Sequence, residues 1–459
     1  MDNTLQTQAD DFISRSDAGV RIDISECESF LNSIPGFTDK HTIEDTKAFL
    51  EYLGNPDENI KIIHVAGTNG KGSVCNYISS VLTQADYSVG MFTSPHLVSV
   101  NERFAVDGKP ISEGVFVEVF VETLKRVKEY GHPDYFPTYF EFLFFVAMLL
   151  YYVYPVDYLI LETGLGGRLD ATNTVKKPIL SIITEIGYDH MEYLGDTLPE
   201  IAGEKAGIIR DGVPVIVFDK REETTAVIKK AALLHDSRLI TVSDRNIENI
   251  GTSADENGNK YIAFSYNSLY DSYIDLKLST LARYQTENAA VAVSAIEVLR
   301  EQGAHISDED LRNGLLLAKW NGRMEEMRPG IYVDGAHNID GIKAFLDSVK
   351  DIEASGRKIL LFGMVGDKQY RDVIKEILKS AEFDAVYVAV LETGRSLSMS
   401  ELKGTFQDYK DELGIVGLPI KYYSNVRDAV TDIITERKSG DVVFTAGSLY
   451  LAGQVRKVF

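Results

Sequence analysis

The 459-residue chain has few cysteines and no apolar run long enough to cross a membrane. Its two cysteines, Cys27 and Cys75, cannot form the disulfide framework of a small secreted domain, so both are expected to be buried, small apolar side chains. The longest uncharged apolar stretch, residues 142–154, falls short of the roughly 20 residues that a membrane span requires. This stretch therefore predicts a buried helix.

The chain also lacks a long basic stripe and a recognisable targeting segment. Aspartate and glutamate outnumber lysine and arginine by 69 to 47, which gives a net charge of −22 at pH 7. This charge repels nucleic acid and anionic lipid, so neither is an expected partner. Residues 1–19 are polar and acidic, without the apolar core of a signal peptide or the arginines of a transit peptide. We therefore expect a cytoplasmic protein that captures anionic substrates locally.

Short β-branched runs and helical stretches alternate along most of the chain, which is typical of an α/β fold. They predict a parallel sheet covered by helices, then an antiparallel hairpin and a closing helix, then a second strand–helix series. The predicted first-series strands are 62–65, 89–93, 158–162, 180–184 and 213–218; the hairpin lies within 246–281 and the helix at 287–302; the second-series strands are 331–334, 358–362, 385–390 and 442–445. We expect domains 1–304 and 305–459, with a ligand cleft between them.

The most informative segment joins an apolar strand to an amphipathic helix through a glycine-rich turn at residues 63–74. The turn consists of Gly67, Thr68, Asn69, Gly70, Lys71, Gly72 and Ser73. Its glycines let backbone N–H groups point inward, and the following helix offers the positive end of its dipole. Lys71 adds a mobile cation and Ser73 can ligate magnesium. The segment therefore predicts a phosphate-binding loop for ATP; a plain glycine-rich turn is the alternative.

Other first-series strands also end in polar side chains. Glu162 ends the strand at 158–162 and enters a glycine-rich turn, which makes it a candidate metal ligand; a simple loop cap is the alternative. His190 follows a third strand and is a weaker candidate, because imidazole is a less usual partner for magnesium. Ser94 opens a loop after the strand at 89–93, at the edge where doubly wound sheets bind ligands, although an ordinary loop fits equally well.

Two basic residues have less specific surroundings. Lys205 lies beside an apolar run, where a buried lysine needs a partner or a lowered pKa. Arg323 precedes a strand of the second series and could reach phosphate across the cleft. A surface salt bridge fits the spacing of Arg323 equally well. Neither residue identifies a reaction by itself.

Seven segments together resemble the folylpolyglutamate synthase and dihydrofolate synthase family, a branch of the Mur ligase superfamily. They are residues 67–73, 94–97, 162–173, 189–190, 204–207, 320–325 and 334–338, within a match that covers about residues 53–450. The resemblance implies an N-terminal P-loop domain like the Mur ligase central domain, a smaller Rossmann-like C-terminal domain, and ATP between them. It implies a monomer that adds L-glutamate to folates through an acyl phosphate, and it leaves dihydropteroate open as a further acceptor.

The resemblance also implies roles for individual residues. The implied metal ligands are Ser73, Ser94, Glu162, His190 and Lys205, around two magnesium ions, with Lys205 carbamylated. The implied catalytic residues are Lys71, Lys205, Arg323 and His337. The implied nucleotide-binding residues are Gly67, Thr68, Asn69, Gly70, Lys71, Gly72 and Ser73, with Asn288, Arg323, Asp334 and His337. A monovalent cation is also compatible with the family, and Tyr284 departs from it, since relatives often carry histidine there.

Two alternative functions stay open. A muramyl-peptide ligase of the same superfamily usually has a further N-terminal domain, whereas only some 60 residues precede the phosphate loop here. A nucleotide-dependent switch would hydrolyse ATP without ligation. Segments 139–141 and 447–450 are candidates for lining a pterin or glutamate site, without assigned roles.

Overall fold

The computed structural model describes residues 3–37, 41–132, 135–366 and 369–459. The helices are α1 (Asn3–Asp17), α2 (Ile24–Ser33), α3 (Ile43–Tyr52), α4 (Lys71–Gln84), α5 (Glu113–Tyr130), α6 (Tyr139–Val153), α7 (Met191–Leu194), α8 (Leu198–Ala206), α9 (Glu222–Leu234), α10 (Gln285–Glu301), α11 (Asp308–Leu317), α12 (Ile339–Asp351), α13 (Tyr370–Ser380), α14 (Met399–Glu412), α15 (Val426–Glu436) and α16 (Leu449–Val458). The strands are β1 (Lys61–Ala66), β2 (Val89–Phe92), β3 (Phe104–Val106), β4 (Lys109–Pro110), β5 (Tyr158–Glu162), β6 (Leu180–Ile183), β7 (Val215–Phe218), β8 (Leu239–Val242), β9 (Ile247–Ala254), β10 (Lys260–Asn267), β11 (Ser272–Leu278), β12 (Glu325–Arg328), β13 (Ile331–Val333), β14 (Lys358–Phe362), β15 (Ala385–Ala389), β16 (Ile420–Tyr423) and β17 (Val442–Ala446).

The first sheet has the strand order β4-β3-β2-β5-β1-β6-β7-β8. Strands β2, β5, β1, β6, β7 and β8 pair in parallel, and β3 and β4 add an antiparallel edge. The five predicted first-series strands are confirmed, because strands buried on both faces are continuous apolar runs. The edge strands were not predicted, since β3 and β4 are very short and β8 is partly exposed.

Residues 247–278 form a separate three-stranded antiparallel sheet in the order β11-β10-β9. The expected hairpin is therefore wrong by one strand. Strand β9 is largely exposed and lacks the alternation that marks a half-buried strand. Buried residues of β10 and β11 share a core with α10, the helix predicted at 287–302, and this core extends to the first sheet.

The second sheet has the strand order β12-β13-β17-β14-β15-β16 and is parallel except at β12. It contains the four predicted second-series strands, together with β12 and β16 at its edges. Helix α11 follows the boundary expected near residue 304 and packs on α4, where Ser80 Oγ donates to the carbonyl of Gly314 at 2.7 Å. The division at 304 stays a prediction.

The apolar run at 142–154 lies almost entirely in α6, whose residues 142–151 are all buried, which confirms the predicted buried helix. Cys27 and Cys75 are free and buried, as expected. Across the described parts of the chain, no helix is both long and apolar enough to span a membrane.

Candidate active site

The glycine-rich turn at residues 67–73 connects β1 to α4 and packs closely against its neighbours. Gly67 has φ 153°, and a Cβ there would lie 1.8 Å from Thr184 Oγ1. Gly70 has φ 87°, and a Cβ there would lie 2.2 Å from Asn288 Oδ1. Only glycine satisfies both the backbone conformation and the close approach at these two positions. This geometry fits a turn whose backbone must come close to phosphate.

The segment after β6 supports the turn from one side. The backbone N–H groups of Thr68 and Asn69 donate to the carbonyl of Glu185 at 2.8 and 3.3 Å. The Thr184 hydroxyl donates to the carbonyl of Asn69 at 2.7 Å. Lys71 opens α4, and its ammonium donates to the carbonyls of Gly67 and Thr68 at 3.1 and 3.3 Å. The Lys71 side chain therefore lies against the turn, beside the position where a phosphate would bind.

Glu162 ends β5 beside this lysine and is 3% exposed. One carboxylate oxygen accepts the backbone N–H of Ser94 at 3.1 Å, and the other lies 3.9 Å from Lys71 Nζ. Burial raises the pKa of Glu162, although Lys71 and the Ser94 N–H act to lower it. A buried carboxylate whose charge is only partly neutralised fits a divalent cation with oxygen ligands.

Ser73 belongs to a chain of amide contacts at the start of α10. Gln285 Nε2 donates to Ser73 Oγ at 3.1 Å, and Asn288 Nδ2 donates to Gln285 Oε1 at 2.9 Å. Because Ser73 Oγ accepts from Gln285, the hydroxyl keeps a free lone pair for another group. Gln285 was not predicted as a site residue, although it lies in the same short segment as Asn288.

Lys205 in α8 points under the glycine-rich turn. It is 3% exposed, and its ammonium donates to the carbonyl of Gly67 at 2.8 Å. Burial, followed by the charge of Lys71, lowers its pKa to about 7. The sequence predicted that a buried lysine here would need a partner or a lowered pKa, and the Gly67 carbonyl is such a partner. A neutral amine is the form that can accept carbon dioxide.

The second sheet contributes residues that contact the turn directly. Asn338 Nδ2 donates to Asn69 Oδ1 at 3.0 Å and to Asp189 Oδ2 at 3.3 Å. His337 Nε2 lies 3.8 Å from the same carboxylate oxygen, and its Nδ1 lies 2.8 Å from the carbonyl of Gly335. Burial acts to lower the pKa of His337, but the contact with Asp189 outweighs it and raises the pKa. The contact with Asp189 therefore favours protonation of this histidine.

Asp334 directly follows β13 and is 2% exposed. It accepts a hydrogen bond from the Tyr284 hydroxyl and from the backbone N–H groups of Met324 and Ala336, the last two at 2.9 and 2.8 Å. Tyr284, the departure from the family pattern, thus links α10 to the second sheet. Arg323 lies close by, since its Nη1 would be 2.4 Å from a Cβ on Gly335.

His190 and Ser94 occupy less direct positions. His190 has φ 49°, precedes α7 and leaves 56% of its side chain exposed. Burial of its ring lowers its pKa, Asp189 acts in the opposite direction, and the charge of Lys71 acts to lower it. Ser94 contributes its backbone N–H to Glu162, as described above. Within the described ranges there is no group of three histidine, cysteine, aspartate or glutamate side chains that could hold a metal.

A buried hydrogen-bond chain joins β1 to the turn that follows Glu162. Asp170 Oδ2 accepts the backbone N–H groups of Gly164 and Leu165 at 2.8 and 2.9 Å. Its Oδ1 accepts the Thr172 hydroxyl at 2.6 Å, and His64 Nε2 lies 2.8 Å from that hydroxyl. Because the Thr172 hydroxyl donates its hydrogen bond to Asp170, it can only accept from His64, which therefore donates through Nε2. His64 was not predicted as a site residue, because it lies in the strand before the phosphate loop and belongs to no motif itself.

Comparisons with known proteins identify the family of this chain. Residues 65–296 match the Mur ligase middle domain, and residues 322–449 match the Mur ligase glutamate ligase domain. The chain is 36% identical over 417 residues to the dihydrofolate synthase/folylpolyglutamate synthase of Bacillus subtilis, covering 90% of this chain and 93% of that protein. It is 29% identical to the folylpolyglutamate synthase of Lacticaseibacillus casei over 94% of this chain and 98% of that one.

Solved structures show the same fold over almost the whole chain. The Mycobacterium tuberculosis folylpolyglutamate synthase complexed with ADP and AMPPCP superposes with a TM-score of 0.81 at 26% identity, covering 95% of this chain and 98% of that one. E. coli FolC in complex with DHPP and ADP gives a TM-score of 0.80 at 28% identity, covering 95% and 97%. This chain is an ATP-dependent ligase that belongs to the folylpolyglutamate and dihydrofolate synthase branch of the Mur ligase family.

Proposed function

We propose that this enzyme adds L-glutamate to reduced folates and also to dihydropteroate, through an acyl phosphate. The contact between Asn338 of the second sheet and Asn69 of the phosphate loop carries this proposal. It brings the groups of both sheets to one edge, where ATP and an acceptor acid can meet. The Bacillus subtilis relative, which is named for both activities, supports the dual acceptor range.

The cations around the loop account for anionic substrates in an acidic protein. Lys71 and Arg323 contribute positive charge where the two sheets meet, and Asp189 favours protonation of His337 there. A carboxylate is a poor nucleophile toward another anion, so these charges lower the repulsion between the acceptor and ATP. Lys71 would exchange the carbonyls of Gly67 and Thr68 for the β- and γ-phosphates. Arg323 would neutralise charge on the transferred phosphoryl group.

The donor set around Glu162 fits magnesium. Ser73 and Glu162 would hold one ion, because magnesium binds through few protein oxygens and keeps water and phosphate oxygens. His190, Ser94 and a carbamylated Lys205 would surround a second. When bound, these ions supply charge neutralisation on the phosphates. A monovalent cation is a further part of the proposal.

The reaction then has two steps. One oxygen of the acceptor carboxylate attacks the γ-phosphorus, the bond to the β-phosphate oxygen breaks, and ADP leaves. The free amine of L-glutamate attacks the carbonyl carbon of the acyl phosphate, loses a proton, and expels inorganic phosphate. Asn288, Asp334 and His337 would position the nucleotide. Water must be excluded from the acyl phosphate, which the contacts between the two sheets favour.

Coupled assays test this proposal. Purified enzyme with ATP and magnesium is given L-glutamate and either tetrahydrofolate or dihydropteroate, and ADP release and glutamylated product are measured. We expect ADP release that requires both glutamate and an acceptor, with either acceptor. ATP turnover indifferent to both would favour a nucleotide-dependent switch. Activity only with a UDP-muramyl acceptor would favour the muramyl-peptide ligase.

The division into domains 1–304 and 305–459 and the monomeric state belong to the same proposal. Sedimentation analysis of the purified protein tests the second point. A single species near the chain mass of 51.1 kDa is expected. A species of twice that mass would contradict a monomer.

A further inference from the structure

Arg103 is a buried cation beside the site that the reaction has not used. It ends the short helical turn Val100–Arg103 after β2 and is 6% exposed. Its Nε donates to His96 Nδ1 at 2.9 Å, and its guanidinium carbon lies 5.6 Å from the centre of the Tyr139 ring. These contacts fix the orientation of the guanidinium group. They do not neutralise its charge.

The charge of Arg103 has no close acidic partner. Within residues 3–37, 41–132, 135–366 and 369–459, no carboxylate oxygen lies within 4.0 Å of a guanidinium nitrogen of Arg103. Burial lowers its pKa, and Tyr139, Glu162 and Tyr450 act in the opposite direction. A buried guanidinium without a partner is unfavourable, and its planar fork of N–H donors matches a carboxylate. The position therefore favours a bound anion.

His96 explains how the fork is directed. Its Nδ1 accepts a hydrogen bond from the N–H group at Arg103 Nε. The imidazole must therefore be neutral, with its own proton on Nε2. Burial, followed by the charges of Arg103 and Lys457, lowers the pKa of His96 to about 3. A neutral acceptor at Nδ1 engages Nε, and Tyr139 is the other side chain beside the guanidinium group, so the Nη groups keep N–H donors for a ligand. His96 is thus a positioning residue.

The surroundings of Arg103 place it where the two sheets meet. The loop 94–103 reaches α16, since a Cβ on Gly453 would lie 2.1 Å from the Leu97 carbonyl oxygen. Tyr450, which acts on Arg103 electrostatically, lies at the start of α16 and is 50% exposed. Tyr139, on the other side, starts α6. An anion at Arg103 would therefore lie near Glu162 and also near the second sheet.

We propose that Arg103, oriented by His96, binds a substrate carboxylate that is not itself phosphorylated. This inference rests on the proposed function. Two carboxylates fit this chemistry: one of the incoming L-glutamate, or the α-carboxylate of the terminal glutamate on a folyl acceptor. The phosphates of ATP are a less suitable ligand, because Lys71 already lies against the phosphate loop.

Arg103→Met tests the inference by removing the charge while keeping a long side chain. We expect KM for the bound substrate to rise about 10- to 100-fold, as for loss of a charge-assisted hydrogen bond, while KM for ATP stays within about two-fold. Arg103→Lys should give a smaller rise, since lysine keeps the charge without the fork. Arg300→Met is the control, because Arg300 is a partly buried arginine that is bound to Ile306 and Asp308. It should leave the KM values for ATP, L-glutamate and the acceptor unchanged.

The choice of acceptor substrate distinguishes the two carboxylates that Arg103 could bind. Dihydropteroate has no α-carboxylate. A raised KM for L-glutamate with both acceptors assigns the incoming amino acid. A raised KM for tetrahydrofolate, with dihydropteroate unaffected, assigns the acceptor tail. Either result supports the carboxylate site.

Unchanged KM values for both carboxylate substrates in Arg103→Met, or a rise confined to ATP, would overturn the inference. If Arg103→Met does not fold, His96→Leu and His96→Asn replace it. Leucine removes the acceptor for Nε and should raise the same KM, whereas asparagine keeps an acceptor oxygen and should largely restore it; equal KM values in the two variants would contradict the positioning role. Wild-type enzyme without glutamate-dependent turnover would instead refute the proposed function.

Discussion

Replacing Lys205 with methionine should stabilise the protein while removing its ligase activity. The buried amine has a pKa of about 7 against 10.5 for an ordinary lysine, mainly because burial disfavours its charge. Between these two values the unfolded chain binds more protons than the folded one, so stability rises with pH in this window. Methionine fills a similar volume and carries no charge. The variant therefore loses both the burial penalty and its dependence on pH.

The magnitude follows from the two pKa values. The Lys205 amine must lose its proton on folding, which costs about 4 kcal/mol of folding free energy at pH 7 and about 2 kcal/mol at pH 9. Loss of the hydrogen bond to the Gly67 carbonyl offsets about 1 kcal/mol in the variant. We therefore expect Lys205→Met to exceed wild type in free energy of unfolding by about 3 kcal/mol at pH 7 and about 1 kcal/mol at pH 9.

Urea unfolding followed by circular dichroism measures this difference. The buffers must be free of carbon dioxide, so that the amine is not carbamylated. Lys229→Met, at an exposed position of α9, is the control and should show no change between pH 7 and pH 9. A Lys205→Met advantage that does not shrink as pH rises, or a destabilised variant, would refute the assignment of a strongly depressed pKa to Lys205.

Three further predictions concern the loop and its supports. Glu162→Gln should abolish ligation with the fold intact by circular dichroism, because an amide cannot supply the buried negative charge; retained activity would remove Glu162 from the metal site. Gly70→Ala should weaken ATP binding at least about 10-fold by calorimetry, since its Cβ would lie 2.2 Å from Asn288 Oδ1; unchanged affinity would mean that the loop adapts freely. Thr172→Val should lower the free energy of unfolding by about 1–3 kcal/mol, because Asp170 loses one donor and His64 loses its acceptor, whereas Thr172→Ser should restore most of it; equal stabilities of the two variants would contradict the buried chain.

The central framework of the fold could be predicted from the sequence, and its edges could not. Strands such as β1 and β5 are buried on both faces, so their residues form continuous apolar runs. Strand β9 and the edge strand β16 keep much of their surface exposed. Their residues therefore need not be apolar, and they lack the pattern that marks a strand. Exposure of edge strands therefore limits what periodicity can show.

The site could be predicted where the residue type itself carries the chemistry. The glycines and Lys71 after β1 indicate a phosphate loop by their residue types. Glu162 indicates a metal ligand, because it is a carboxylate at the end of β5. Arg103 and Gln285 gave no such signal, because their roles depend on which distant residues the fold brings beside them. For Arg103 the informative fact is the missing acidic partner within the described residues, and no local pattern in a sequence can report it.

Oxygen transfer from the acceptor tests the central claim most directly. Tetrahydrofolate labelled with ¹⁸O in its γ-carboxylate is converted with ATP and L-glutamate, and the released phosphate is analysed by mass spectrometry. If the carboxylate attacks the γ-phosphorus, each amide bond formed delivers one labelled oxygen to phosphate. Phosphate that carries no label, with amide formation intact, would contradict activation through an acyl phosphate.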